Sequence, residues 1–270
     1  MKPKELKKEA LSNFSGKFLK LLSMQFIYLL IVFAISLLTG FLVSKTSASS
    51  SMSSLFLLIY YIISFPLSFG ILSVTMRMSK KEDVSSTEFI NVSLKKFISY
   101  WKVMLRIFIK ILLPIILFFI IAVFVTTFVL THTSTITELS NTTFILSYLV
   151  SLITIVFIIY LVLPYALSLF ILHDNPDKSS KEILEISSNM MKNNKFNYIK
   201  LLLSFIGWYL LFGIIAYISK EFLPQIVSMF VDYIPTLLLV PYITITQLAF
   251  YENVKTNINS NDNATLETEE

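Results

Sequence analysis

Six long apolar blocks, separated by polar stretches that alternate between short and long, set the pattern of this chain. Residues 21–43 carry no charge and, at about 1.5 Å per residue, are long enough as a helix to cross roughly 30 Å of hydrocarbon. Blocks over 55–76, 103–130, 143–172, 201–219 and 232–251 have comparable length and apolar content. The expected fold is therefore all-α, a polytopic membrane protein with six transmembrane helices. A signal peptide would have a shorter apolar core, so the first block is expected to remain as a span.

The polar stretches before the first, third and fifth spans have helical periodicity of their own. Leu6, Ala10, Phe14 and Phe18 lie four apart; Ile90, Leu94, Phe97 and Trp101 form a second stripe; Ile183, Ile186 and Met190 form a third. Ser85 with Glu88 and Ser179 with Glu182 have the spacing of capping boxes. These features predict amphipathic helices on the membrane interface before spans one, three and five, with Met190 and Met191 on the apolar side of the third. The competing reading of the first stretch is an ordinary basic flank that happens to be helical.

Each stretch also contains a Lys-Phe pair, at 17–18, 96–97 and 195–196, and each returning span contains a proline, Pro66, Pro164 or Pro241. Three related hairpins are expected, their Lys-Phe intervals having drifted to 79 and 99 residues. Pro114 and Pro235 add two further positions where a helix is expected to kink, giving five in all. The domain layout read from this pattern is an amphipathic segment over 1–20, the six-helix region over 21–251 and an acidic, Asn-rich tail over 252–270, expected to be disordered.

Charge orients the hairpins. Only 14% of residues are charged, roughly half the usual share for a soluble domain. Six Lys or Arg lie in residues 1–20, six in 77–102, five in 178–200 and one in the tail, against Lys45 and Lys220 on the opposite side. By the positive-inside rule both termini are cytoplasmic. The net charge of +5 reflects this topology, so nucleic acid is not an expected partner. The absence of cysteine removes thiolate chemistry, and the five scattered glycines form no phosphate loop. His132 and His173 lack the paired spacing of a zinc site, so no metal or cofactor is expected. A bias to Ile, Lys, Asn, Ser and Phe points to an AT-rich, Gram-positive bacterial source.

The blocks KELKKEAL with FSGKF, SSNMMKNNKFNYIKLLLSFIGWYLL and PYITITQLAFYENV resemble the domain-of-unknown-function 975 family of bacterial membrane proteins, over Lys4 to about Val254. The resemblance implies a polytopic membrane protein without an established activity. Where that family has a glycine after the Met-Lys, this chain has Asn193 and Asn194, which makes a helix break there less assured. A more distant similarity links the spans to the membrane regions of some glycerophosphodiesterases, whose hydrolase domain has no counterpart here.

Among polar positions, Lys102, Arg106 and Lys110 are spaced to align on one face at the mouth of the third span, a pattern suited to an anionic lipid headgroup. The alternative is snorkelling of long side chains toward the headgroups. Asp232 is placed at the outer interface, and Tyr100, Trp101 and Tyr198 are expected in an aromatic belt. Lys192, Lys195 and Lys200 are expected to set orientation. The function these features favour is a non-enzymatic protein of the cytoplasmic membrane that engages anionic lipid or a membrane-protein partner, in envelope homeostasis or antimicrobial-peptide immunity. A small permease with moving kinked helices is the second reading. A lipid enzyme using His173, Asp174 or Asp232 is the third. Because the chain has no cysteine, Ser12→Cys, Ser47→Cys and Ser260→Cys give a clean topology test: an impermeant maleimide should label position 47 in intact cells and positions 12 and 260 only after permeabilisation.

Overall fold

A computed structural model describes residues 2–45, 50–131 and 136–267; residues 1, 46–49, 132–135 (His132 among them) and 268–270 lie outside them. Every regular element among the described residues is helical. In chain order these are α1 (Pro3–Asn13), α2 (Phe18–Lys45), α3 (Ser50–Ser79), α4 (Glu88–Lys95), α5 (Phe97–Thr131), α6 (Ile136–Val162), a 3-10 turn (Leu163–Tyr165), α7 (Ser168–Asp174), α8 (Ser180–Met191), α9 (Lys195–Leu203), α10 (Ile206–Phe222) and α11 (Gln225–Glu267). Six stretches are long and apolar enough to cross a membrane: Phe18–Ser44, Ser54–Ser79, Phe97–Val129, Ile145–Asp174, Lys195–Phe222 and Phe230–Ile258. The chain forms two compact units, Met1–Tyr100 with Asn193–Glu270, and Trp101–Lys192.

Four of the five prolines, Pro66, Pro114, Pro235 and Pro241, lie inside helices that continue through them. Pro164 instead sits in the 3-10 turn between α6 and α7. The three prolines of the returning spans share another property: they divide each span by its surroundings. Before Pro66, α3 exposes Leu57, Leu58 and Ile62; after it Leu67, Phe69, Val74 and Met76 are buried. Before Pro164, Ile155, Val156 and Ile159 are exposed; after it Leu167, Phe170 and Ile171 are buried. Before Pro241, Phe230 and Ile234 are exposed; after it Ile245, Leu248 and Phe250 are buried.

The buried halves are covered by the short helices, in a consistent order. α4 packs on α3, and α8 packs on the 3-10 turn and α7, so each short helix covers the returning span that precedes it. Among the described residues no short helix follows the last span, and α1 packs on α11 instead. Each short helix buries a small residue in its second half, Ala10, Ser93 or Ser187, with a buried apolar residue one turn earlier, Leu6, Phe89 or Ile183. Ser187 Oγ donates to the Pro164 carbonyl at 2.9 Å, and Ser93 Oγ to the Phe89 carbonyl at 2.6 Å. Thus the expected short helices exist, but their apolar faces are buried against protein. For α4 the expected stripe also lies on the wrong face: Leu94 is 68% exposed, while Phe89 and Ser93 are buried. Gly70 explains the rotation, because only a residue without a side chain lets that face of α4 come so close to α3.

Helix ends follow local chemistry. Ser179 and Glu182 form the full capping box, with Ser179 N to Glu182 Oε2 at 2.7 Å and Glu182 N to Ser179 Oγ at 3.3 Å. At Ser85 only the backbone half forms, Ser85 N donating to Glu88 Oε2 at 3.3 Å, and the helix begins three residues later at Glu88. Between α1 and α2 the chain turns through Gly16, whose φ of 78° is the left-handed conformation glycine adopts without steric cost. The break at 192–194 is present despite the asparagines, since the chain there keeps negative φ and needs no glycine.

Three boundaries differ from those expected. α6 begins at Ile136, within a stretch read as loop up to Asn141. The fifth span is interrupted between Leu203 and Ile206. The tail read as disordered from Glu252 continues α11, because Tyr251 and Val254, three apart, extend the buried face onto α1, and Asn253 Nδ2 donates to the Glu9 carboxylate at 3.0 and 3.3 Å. A methyl group at Gly70 would overlap Ser93 Oγ and the Phe89 carbonyl, and the latter is backbone that cannot rotate away. Gly70→Ala is expected to cost about 1–3 kcal/mol, seen as a lower melting temperature in detergent, and adding Ser93→Ala should not restore it.

Candidate functional site

Two sets of cations are grouped on single helix faces or around a groove and form no ion pair among the described residues. The first is the predicted one. Lys102, Arg106 and Lys110 are exposed on α5, in successive turns, so the stripe extends about 12 Å along the helix. Lys110 Nζ lies 5.5 Å from the centroid of the Tyr165 ring, a cation–π contact just past Pro164. None of the three forms an ion pair among the described residues.

The second set lies on α1. Leu6, Ala10 and Phe14 bury one side of this helix, which turns Lys7 toward the interruption between α9 and α10. There the Trp208 amide bonds to the Phe205 carbonyl at 3.0 Å, leaving the Ser204 carbonyl available. Lys7 Nζ donates to that carbonyl at 2.8 Å and stands 3.8 Å from the centroid of the Phe205 ring. An apolar span leaves few partners for a freed carbonyl, and a lysine from outside the span supplies this one. Burial lowers the pKa of the Lys7 ammonium. Phe205 in turn meets Tyr242 of α11 edge-on at 5.3 Å. Lys4, Lys7 and Lys8 thus border a groove of about 690 Å³ whose other walls include Leu11, Ser204 and Tyr242.

Several other charged groups are paired within the protein and hold structure. Arg77 Nε donates to Glu82 at 2.6 Å and its Nη1 to Glu88. Lys17 Nζ donates to the Met78 carbonyl at 2.9 Å, Lys20 pairs with Asp83 at 3.1 Å, and the hydroxyls of Ser23 and Ser86 are 2.8 Å apart. Together these bonds tie the segment after α3 to the start of α2. Asp232 is paired with Lys220 at 3.4 Å, and His173 and Asp174 close α7 in the other unit. Lys200 lies 4.3 Å from the Phe196 ring, while Lys192 is exposed past the end of α8.

A family model described as protein of unknown function (DUF975) matches residues 1–258. The chain belongs to that family. No curated protein and no solved structure matches it. The DUF975 match takes in α1, both sides of the α9–α10 interruption and the part of α11 that receives α1.

The expected aromatic belt needs correction. Tyr100 is 2% exposed against Phe69, and Tyr198 is 6% exposed, its hydroxyl accepting from Gln247 Nε2 at 2.9 Å and its ring edge-on to Phe250. Both are core residues, since phenol groups within a packed end find protein partners in place of headgroups. The groove by α1 was missed because its decisive feature is a helix interruption. Ser204 just before Phe205-Ile206-Gly207 was the one available signal. The Arg77 guanidinium, then the Ser85 amide, hold the Glu88 carboxyl below its ordinary pKa of 4.5. That contribution is present above this value and lost as pH falls through the lowered one, so acid should destabilise the native chain more than Glu88→Gln. At neutral pH the substitution should cost about 1 kcal/mol by thermal melting.

Proposed function

We propose that this chain is a non-enzymatic, multi-pass protein of the bacterial cytoplasmic membrane, with both termini inside, that engages anionic lipid through unneutralised cations at its inner face. The observation that carries this reading is the stripe of Lys102, Arg106 and Lys110, exposed on one helix and without a described carboxylate partner. Juxtamembrane Lys and Arg each gain about 1 kcal/mol at an anionic membrane surface, so three in register favour acidic over zwitterionic headgroups. The six apolar stretches and the distribution of Lys and Arg support the location and orientation.

Three groups of this charge in successive turns fit one headgroup or two neighbouring ones, whereas a chemical reaction on the lipid would need an acid or base beside it. Asp232 already has Lys220. In mild detergent, the triple substitution Lys102→Gln, Arg106→Gln, Lys110→Gln should reduce acidic lipid retained in native mass spectra by about ten-fold or more, with zwitterionic lipid unchanged. Unchanged acidic lipid would refute the α5 assignment.

A further inference from the structure

We propose that the groove bordered by Lys4, Lys7 and Lys8 is a second, separate site, built to hold one acidic phospholipid with its phosphate at α1 and an acyl chain along Leu11 and Tyr242. Its walls come from α1, the α9–α10 interruption and α11, all within one compact unit. At about 690 Å³ it has the capacity of a small-molecule site, enough for a headgroup and the first part of a chain.

The groove is graded along its length as an amphiphile is. Its basic end belongs to a polar helix that is not a membrane span, and its apolar end to the stretches Lys195–Phe222 and Phe230–Ile258, which are apolar enough to be spans. Leu11, in the groove wall, is 46% exposed, and Leu203 and Ile206, which flank the interruption holding Ser204, are 57% and 55% exposed. Free inorganic phosphate would use only the first part of this surface.

Charge identifies the headgroup. No carboxylate lines the groove among the described residues. The two acids of α1 are engaged elsewhere, Glu5 with Lys2 at 3.9 Å and Glu9 with Asn253. Lys7 gives one of its three donors to the Ser204 carbonyl and is fixed over Phe205, which leaves donors for a phosphate oxygen at a defined position. Lys4 lies three residues before Lys7 and four before Lys8, so it neighbours both on the helix surface, and all three line the groove. A second copy of this chain would need an acidic protrusion to meet the same cations, and a lipid phosphate meets them without one.

The test uses the full chain, delipidated in detergent, with phosphatidylglycerol carrying a photoactivatable acyl chain as probe. Labelled peptides should contain Leu11 and Tyr242, and phosphatidylcholine with the same chain should label them at least about ten-fold less. Lys4→Gln with Lys8→Gln leaves the Lys7–Ser204 bond in place, so its melting temperature should be unchanged while the label at Leu11 and Tyr242 falls about ten-fold or more. The triple substitution on α5 should leave that label intact, which separates this site from the stripe. Equal labelling by phosphatidylcholine would overturn the proposal, as would an unchanged label in the double variant. Competition by glycerol phosphate as effective as by the whole lipid would assign the groove to a soluble phosphate. Dissociation of a dimer by the double variant would assign it to a second copy.

Discussion

Close approach between a short helix and the second half of a returning span is the contact on which this fold depends. Helices surrounded by lipid gain nothing from the hydrophobic effect by associating, and van der Waals packing between small residues must hold them. The chain meets this constraint by packing its short helices on the segments after Pro66, Pro164 and Pro241. There Ala10, Ser93 and Ser187 are buried in the second halves of the covering helices, and Gly70 lets one of them meet the backbone of its span. The halves before the prolines display Leu, Ile and Phe outward, as a lipid-facing surface requires.

This division also explains the two uses of positive charge. Arg77 holds the segment after α3 to Glu88 of α4, while Lys17 and Lys20 tie the end of α3 and that segment to the start of α2. Lys7 is intermediate, since it repairs an interrupted span yet keeps part of its hydrogen-bonding capacity. The stripe on α5 and Lys4 with Lys8 on α1 repair nothing, and their charge is available to molecules outside the protein. Counting lysines by region cannot separate these roles. Only the partners of each side chain do.

The six apolar stretches, the short helices before alternate spans and the Ser179–Glu182 cap were all legible in the sequence, because each depends on composition or on spacing within a few residues. What could not be read was the direction of apolar faces whose partners are distant. Leu94 and Phe89 are both apolar residues of one short helix, and the choice between them was made by Gly70, some twenty residues away. Tyr198 had the look of an interfacial anchor until Gln247 and Phe250 enclosed it. The end of α11 looked like a polar tail because the residues that bury Val254 lie at the opposite end of the chain. Of the two basic sites, the one on α5 follows from helical spacing alone, while the one by α1 requires three elements that adjacent sequence does not link.

The pairing of α1 with α11 has a consequence for how the protein is made. The ribosome delivers α1 well before α11, so Leu6, Ala10 and Phe14 emerge before the surface that buries them exists. Folding of this unit therefore cannot be completed during synthesis of its earlier helices, whereas α4 and α8 follow directly after the spans they cover. The apolar side of α1 thus stays uncovered by its own chain until α11 has been made.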